Sequence, residues 1–340
     1  MLWTSHRVYR EDARDVLSSH ASGTVDLIVT SPPYPMVKMW DEMLGGDFKH
    51  DPWGVYNHQH MQLRNVLHQC VHVLRKGGFM CINIGDAVRT LEGHFALYPN
   101  HSKIIEYLTS MGMTLLPGVI WRKPTNSPTK FMGSGMLPCG AYMTLEHEHI
   151  LIFRKGNPRK HSEREKKIRR RSAYFWEERN KWFSDLWDVT GVRQNKKGIR
   201  TAAFPLEIPH RLINMFSMQG DLVLDPFLGA GTTMKAALIN GRNSYGCEIR
   251  HGCFDIISDN MRDAQDLGNS MNHRRLDDHY KFTQTREMKH RCVNYDFACM
   301  SPQEKDIQLQ MIKDVSVATD LFVAEYTPLR YTVSVGTKDL

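Results

Sequence analysis

Short apolar segments alternate with segments of helical periodicity over much of the chain. The first run, Val25–Thr30, is rich in β-branched residues and stops before two prolines, which cannot donate to a sheet, so it predicts a strand. Apolar positions then recur at three- and four-residue spacing over 61–74, which predicts a helix. Further strands are predicted at 79–84 and 114–121, with a helix at 102–111 between them.

The same alternation returns later in the chain. It predicts a helix at 209–218, a strand at 222–224, a helix at Thr232–Ile239 and a strand at 243–249. Strands that alternate with helices indicate a mostly parallel sheet with helices on both faces. The predicted fold class is therefore α/β.

Two stretches depart from this pattern. Residues 122–192 are rich in proline, glycine and charge, with one clear strand at 149–153, and predict an inserted, loop-rich module. The tail after about residue 266 changes character, and its one predicted element is a helix at 303–315.

Composition narrows the class of protein. The chain has 340 residues, 41% of them apolar, and a net charge of +7, as expected for a globular protein. Its seven cysteines include no C-x-x-C pair, which argues against a zinc site or a disulfide framework and fits a reducing compartment. No apolar run approaches the roughly 20 residues that cross a bilayer, and the amino terminus lacks a secretory signal. We expect a cytoplasmic protein without a membrane partner.

The positive charge is concentrated in residues 154–181, which hold twelve Lys and Arg against four Glu. Basic residues bind phosphates, and the aromatic residues that follow can stack on bases. The candidate DNA-contacting residues are Lys166, Lys167, Arg169, Arg170 and Arg171. The alternative is a solvated helix whose charges pair with its glutamates. A second basic stretch covers 193–200.

A glycine turn separates the strand at 222–224 from the following helix. Glycines there let a ligand approach the backbone and the helix N–H groups. A P-loop is excluded because Thr232, and not lysine, follows Gly231, and a dinucleotide fingerprint is excluded because Met234 occupies the place of the third glycine. S-adenosylmethionine needs neither feature. Glu248, 23 residues after Asp225, has the spacing of a ribose-binding acid, and Asp225 could accept from the ammonium group. A turn without a ligand is the alternative.

The tetrapeptide Ser31-Pro32-Pro33-Tyr34 suits a planar exocyclic amine. Ser31 offers a hydroxyl, Pro32 a carbonyl without an N–H of its own, and Tyr34 a flat face for stacking. Acceptors for both N–H bonds let the nitrogen lone pair turn towards an electrophilic methyl group. The alternative is a rigid turn with Tyr34 packed in the core.

These two motifs, in this order, resemble the β group of the DNA amino-methyltransferases of restriction–modification systems. The resemblance covers about residues 4–264 and implies a Rossmann-like methyltransferase fold with S-adenosylmethionine as cofactor. It implies a catalytic part at 1–122, a target-recognition region at 123–198 and a cofactor-binding part at 199–264, followed by an extension of unknown role at 265–340. Gly85-Asp86 resembles the family's active-site wall. Ser31, Pro32, Pro33 and Tyr34 are the implied catalytic residues, and the implied cofactor-binding residues are Asp12, Phe204, Pro205, Asp225, Pro226, Phe227, Gly229, Gly231, Thr232 and Glu248.

The resemblance also implies the reaction. A serine at the first tetrapeptide position usually goes with cytosine N4 in this family, and an acid or asparagine with adenine N6, so Ser31 favours cytosine N4 in double-stranded DNA. The base must be flipped out of the duplex, and no metal is required. A restriction endonuclease that acts on the same site is a candidate partner.

Several other functions are alternatives to this one. A DNA-binding module could keep the fold without catalysis, and related enzymes methylate adenine N6, a protein glutamine or an RNA base. Pro138-Cys139 suggests a cytosine carbon-5 methyltransferase as a further alternative. In that group, however, the glycine turn precedes the Pro-Cys pair, whereas here it follows the pair. A loop or buried cysteine is the interpretation we favour there.

Overall fold

The structure, a computed structural model, describes residues 2–46, 51–123, 132–191 and 203–332. Its strands are β1 (Leu2–Tyr9), β2 (Val25–Thr30), β3 (Leu74–Ile84), β4 (Ala87–Leu91), β5 (His94–Tyr98), β6 (Met113–Arg122), β7 (Met132–Gly133), β8 (Ala141–Tyr142), β9 (His147–Lys155), β10 (Leu186–Asp188), β11 (Leu222–Asp225), β12 (Asn243–Cys247), β13 (His290–Arg291), β14 (Ala298–Cys299), β15 (Gln310–Ala318) and β16 (Leu321–Pro328). Its α-helices are α1 (Ala13–Ser18), α2 (Asp41–Leu44), α3 (Pro52–Val73), α4 (Asn100–Ser110), α5 (Glu163–Arg171), α6 (Trp176–Trp182), α7 (Glu207–Phe216), α8 (Thr232–Ile239), α9 (Cys253–Arg262) and α10 (Ala264–Thr283).

Ten strands form one sheet in the order β10-β6-β9-β3-β2-β11-β12-β1-β16-β15. The five central strands, β3-β2-β11-β12-β1, are all parallel. On one flank β9 runs antiparallel to both β3 and β6, and on the other β16 runs antiparallel to β1 and β15. The predicted α/β class with a mostly parallel sheet is confirmed.

Helices cover both faces of the parallel core. Ile28 of β2 packs in a cluster with residues of α1, α3 and α4, whereas Leu27 and Val29 pack with residues of α7 and α8. Successive side chains of a strand point to opposite faces, so a strand between two helical layers is apolar on both. This explains why β2 reads as a continuous apolar run.

The carboxyl ends of the parallel strands meet at one edge of the sheet. Because β2 and β11 are neighbours, with Leu27 beside Val223 and Ile28 beside Leu224, the segments that follow them are brought together. Gly231 begins the turn into α8 with a φ of 78°, a left-handed conformation that a glycine adopts without strain. The tetrapeptide and the glycine turn therefore lie at the same edge.

The central stretch is less separate than the sequence predicts. The strands β9 and β10 belong to the main sheet, so the prediction of a wholly inserted module is wrong for these residues. The buried run Ile150–Phe153 explains the difference, because a strand that is apolar on both faces requires neighbours on both. Residues 124–131 and 192–200, which include the second basic stretch, lie outside the described residues.

The tail extends the same sheet. The predicted helix at 303–315 is wrong, because Gln310–Ala318 forms β15, which pairs with β16. The alternate residues Phe322, Ala324 and Tyr326 of β16 are buried in the core, so this strand has one buried face. Its other edge pairs with β15. The long helix α10 packs against β15. Among the helices that the structure describes, none is long and apolar enough to cross a membrane.

Candidate active site

A cavity of about 530 Å³ opens at the carboxyl edge of the parallel strands. Its volume lies in the range of small-molecule sites. Of the residues predicted from the sequence, the following line it: Asp12, Ser31, Pro32, Pro33, Tyr34, Gly85, Asp86, Phe204, Pro226, Phe227, Gly229 and Glu248. Pro205, Asp225, Gly231 and Thr232 do not line it. The two predicted motifs, about 190 residues apart in the chain, thus share one cavity.

The loop after β2 is held by a buried amide. Asn100, at the start of α4, donates from Nδ2 to the carbonyl oxygens of Pro35 (3.0 Å) and Gly85 (2.9 Å). Its Oδ1 contacts His60 Nε2 at 2.9 Å. Pro32 and Pro33 are buried, and a Cβ at Gly85 would lie 3.0 Å from Tyr34 Cε2. The tetrapeptide and the predicted wall therefore pack directly against each other.

Two polar side chains of the tetrapeptide meet one side chain from β3 and one from β9. Tyr34 Oη donates to Glu148 Oε2 at 2.9 Å and lies 3.0 Å from Ser31 Oγ. Asn83, near the buried end of β3, donates from Nδ2 to Tyr34 Oη at 2.7 Å and to Glu148 Oε2 at 2.6 Å. Glu148 is also paired with Lys123. This group of Ser31, Tyr34, Asn83 and Glu148 is here called the serine network.

Charge and burial fix the protonation of the phenol. Burial, followed by the negative charge of Glu148, raises the pKa of Tyr34 well above its usual value. The phenol therefore stays neutral and keeps the proton that it donates to Glu148. Lys123 lies over the ring of Trp121 at 4.5 Å, which positions its ammonium group beside the carboxylate.

The glycine turn is stabilised by Glu248. One carboxylate oxygen of Glu248 accepts from Gly229 N at 2.8 Å, and the other accepts from Arg250 N at 2.8 Å. Glu248 follows β12 and is 6% exposed, yet it lines the cavity. Arg250 Nε also donates to Oε1 at 3.1 Å, so Oε2 is the oxygen whose second lone pair can accept from a ligand hydroxyl group.

Asp225 lies behind the turn and does not line the cavity. Its Oδ1 accepts from Thr30 Oγ1 at 2.7 Å and from Phe227 N at 3.1 Å, which joins the end of β2 to the glycine turn. Burial raises its pKa to about 6. Asp225 orders the turn, and its buried carboxylate does not line the cavity in which the sequence predicted a contact with an ammonium group.

Asp12 follows β1 and lines the cavity on the side away from the tetrapeptide. It caps α1, accepting from Arg14 N at 2.8 Å, and pairs with the Arg14 guanidinium group. The hydrogen bond from the Arg14 side chain is the main cause that lowers the pKa of Asp12. Asp12 is therefore a fixed anion at the end of the cavity nearest Glu248, which follows the neighbouring strand.

The charge of the lining favours a cationic ligand. Six carboxylates and three cationic side chains line the cavity: Glu11, Asp12, Asp86, Glu146, Glu148 and Glu248 against Arg14, Lys123 and Arg250. Walls of low dielectric constant strengthen such a field. A sulfonium compound carries the positive charge that this lining attracts.

The basic helix lies at the opposite edge of the sheet. Arg159 contacts Glu165 of α5 at 2.7 Å and Asp221, just before β11, at 2.9 Å. The same guanidinium group contacts Asp26, near the start of β2, at 3.3 Å. The helix α5 is thus fixed at the amino ends of strands whose carboxyl ends form the cavity.

This placement separates the predicted DNA contacts from the cavity. A six-residue strand such as β2 spans about 20 Å. Lys166, Lys167, Arg169, Arg170 and Arg171 are all exposed, but none lines the cavity. The structure does not bring them to the cavity. The solvated-helix alternative fits their surroundings, since Lys166 pairs with Glu163 at 2.6 Å and Arg170 lies 3.5 Å from Asp306.

Cys139 is a turn residue outside the cavity lining. It is exposed, has a φ of 68° in the turn between β7 and β8, and does not line the cavity. A carbon-5 mechanism needs a cysteine against the base. The structure supports the interpretation of Cys139 as a loop residue.

Sequence reasoning missed four residues that order this site: Asn83, Asn100, Lys123 and Glu148. Three of them are marked by a local feature of the sequence. Asn83 is polar within an otherwise apolar strand, Glu148 shortly precedes the apolar run of β9, and Asn100 follows a proline at a predicted helix start. A buried polar residue requires partners, so such interruptions mark candidates for a network. Lys123 carried no signal in the sequence.

Comparison with known proteins agrees with this site. Residues 25–259 match the family model of the N6/N4 methyltransferases, described as DNA methylase. The Type II methyltransferase M.MthZI of Methanothermobacter thermautotrophicus is 47% identical over 321 residues, which cover 90% of each chain. The Type II methyltransferase M.MjaI of Methanocaldococcus jannaschii is 47% identical over 279 residues, 76% of this chain and 91% of that one.

Two solved structures are similar to this chain in fold. The protein TTHA0409 of Thermus thermophilus, complexed with S-adenosyl-L-methionine, has a TM-score of 0.61 and 30% identity over 76% of this chain and 94% of its own. The PvuII DNA methyltransferase, which is cytosine-N4-specific, has a TM-score of 0.57 at 18% identity over 78% and 92% of the two chains. With its tetrapeptide and its glycine turn at one cavity, the chain belongs to the N6/N4 family of DNA methylases.

Proposed function

We propose that this DNA methylase transfers a methyl group from S-adenosylmethionine to the N4 amine of cytosine in double-stranded DNA. The observation that carries the proposal is the Ser31 hydroxyl. It lies at the end of β2, 3.0 Å from Tyr34 Oη, in the cavity that also holds the glycine turn. A neutral hydroxyl in place of an acid at this position is typical of the cytosine-N4 members that the sequence resembles.

The cofactor is S-adenosylmethionine, and the residues of the cavity fit it. Glu248 would accept from the ribose hydroxyls, Asp12 from the adenine amine, and Phe204 and Phe227 would border the methionine part. The predominance of carboxylates suits a sulfonium. When bound, the cofactor supplies an electrophilic methyl group.

The residues of the chain then act on the base. A flipped cytosine would stack on Tyr34, as enzymes that modify a base require it outside the duplex. Its amine would donate to Ser31 Oγ and to the carbonyl of Pro32. Acceptors that are fixed before the reaction stabilise the charge that develops on nitrogen without reorganisation. Catalysis by this site is therefore mainly positioning.

We expect the duplex to lie across the mouth of the cavity and not along α5. Tyr142 of β8 stacks on Phe95 of β5 with centroids 4.2 Å apart, three residues before Leu145, which lines the cavity. Met136 and Met143 of the same segment are 86% and 88% exposed. Exposed apolar side chains beside a base-binding cavity can fill the space that an extruded base leaves.

Nucleoside analysis tests the proposal. Duplex DNA is incubated with the protein and methyl-labelled cofactor, digested to nucleosides and analysed by mass spectrometry. We expect N4-methylcytosine from the wild type and, from Ser31→Ala, a rate at least about 10²-fold lower with cofactor affinity retained. N6-methyladenine as the only product would refute the choice of base, and an inactive wild type would refute the proposal as a whole.

The proposal extends to a partner. The relatives named above are Type II methyltransferases, and we propose a restriction endonuclease that cuts the same sequence. Methylation-sensitive sequencing of DNA from cells that express the chain would give this sequence. DNA methylated by the wild type should then resist an endonuclease of that specificity, whereas DNA exposed to Ser31→Ala should be cut.

A further inference from the structure

We propose that Glu148 is the final proton acceptor of the reaction and receives the proton of the amine through Ser31 and Tyr34. This inference rests on the proposed function. The carboxylate lies outside both sequence motifs, near the start of β9 and shortly before its buried run, and its side chain is 13% exposed. Its position in the serine network supports the role.

The hydrogen bonds of the network have only one consistent direction. A carboxylate accepts and does not donate, so the single proton of Tyr34 goes to Glu148 Oε2. The nitrogen of the Asn83 amide must face Glu148 at 2.6 Å, because its oxygen would repel the carboxylate there, and the same nitrogen donates to Tyr34 Oη. With its proton committed, Tyr34 Oη can only accept from Ser31 Oγ.

This direction leaves Ser31 as an acceptor towards the cavity. Its proton points away to Tyr34, Asn83 Nδ2 lies 3.4 Å from the same oxygen, and the second lone pair of Ser31 Oγ is left for an N–H of the base. The chain Ser31–Tyr34–Glu148 therefore combines an acceptor at the substrate end with a carboxylate at the other end. A chain of hydrogen bonds polarised in one direction is also a path for a proton.

The step balances in atoms and charge. The lone pair of cytosine N4 forms the bond to the methyl carbon as the carbon–sulfur bond breaks, and that electron pair stays on sulfur. The nitrogen now has one proton too many. This proton passes to Ser31 Oγ, the Ser31 proton to Tyr34 Oη and the Tyr34 proton to Glu148, which becomes neutral until it exchanges with solvent.

One cation lies beside Glu148 in the serine network. Lys123, which follows β6, is paired with it, and Tyr34 is a second titratable group that faces it. His147 and His149 are its neighbours on β9, and burial is the main cause that lowers the pKa of His149 to about 4, so that ring is neutral near pH 7. Lys123 thus supplies the positive charge beside the carboxylate.

Glu148→Gln tests the proton transfer because glutamine keeps the shape and an acceptor oxygen but not the basicity. We expect the single-turnover rate to fall about 10²-fold, as for the loss of a general base. The affinity for cofactor, measured by calorimetry, should stay within about twofold. Glu148→Asp should recover part of the rate, and Glu106→Gln, at an exposed carboxylate of α4, is the matched control.

The pH profile separates proton acceptance from a purely structural role. The wild-type rate should fall towards acid pH, because a proton acceptor must be unprotonated, whereas the Glu148→Gln rate should lack this fall. Tyr34→Phe breaks the same chain at its middle, so the double variant Tyr34→Phe with Glu148→Gln should be no slower than the slower single variant. Multiplicative losses in the double variant would contradict a shared path.

A binding measurement without turnover controls for the substrate site. The wild type and Glu148→Gln are titrated, in the presence of S-adenosylhomocysteine, with duplexes that carry cytosine or uracil opposite an abasic position. Both proteins should prefer cytosine by about five- to tenfold, since Ser31 accepts from its amine. A wild type that methylates neither base refutes the proposed function. An active wild type with a Glu148→Gln rate within about threefold of it refutes only the role of Glu148.

Discussion

Replacement of Asp225 by asparagine should stabilise the protein at neutral pH but not in acid. Asp225 is 4% exposed, and burial is the main cause that raises its pKa from 3.8 to about 6. The nearby charge of Glu248 acts in the same direction, while hydrogen bonds from Thr30, Thr233 and Phe227 oppose it. The native state therefore favours the neutral carboxyl group.

The direction in which stability changes with pH follows from the number of protons that Asp225 binds in the native and unfolded states. Below about pH 3 the carboxyl is protonated in both states, and its ionisation does not affect stability. Between pH 4 and 6 the unfolded chain loses the proton and the native state keeps it, so the stability of the wild type falls as the pH rises. A shift of about 2 units at about 1.4 kcal/mol per unit gives a total of about 3 kcal/mol, reached above pH 6.

Urea unfolding at pH 4, 5, 6 and 7, followed by tryptophan fluorescence, measures this effect. The difference in unfolding free energy between Asp225→Asn and the wild type should move in favour of the variant by about 2.5 kcal/mol from pH 4 to pH 7. Asp278→Asn, at an exposed aspartate of α10, should show no such trend. A difference for Asp225→Asn that is equal at pH 4 and pH 7 would refute the reasoning.

Two further predictions concern geometry and charge. Gly85→Ala would place a Cβ 3.0 Å from the ring of Tyr34, so single-turnover methyl transfer should slow by about tenfold while calorimetry shows unchanged cofactor affinity; a wild-type rate would mean that the ring yields without cost. Neutralising the basic residues of α5 to glutamine should leave the slope of target-duplex affinity against salt unchanged, because none of them neutralises a phosphate at the cavity; a shallower slope would return the contact surface to α5.

Local signals explain which elements the sequence could predict. The strand β2 and the helix α8 have the predicted bounds, because two prolines end the first and a glycine turn and Asn240-Gly241 flank the second. The tail was different. Its predicted helix is the strand β15, since the ladder with β16 outweighs the local preference of the segment.

Local patterns along the chain specify the two motifs, their order and the α/β class, because turn chemistry and hydrophobic periodicity act over a few residues. The surroundings of Ser31 depend on how distant strands pack. The antiparallel register of β9 against β3, which sets His149 beside Ile84, brings Glu148 to a tyrosine 114 residues away. The packing of distant segments also places the basic helix α5 at the opposite edge of the sheet from the cavity. Register and docking depend on burial shared between distant segments, and no local pattern contains that information.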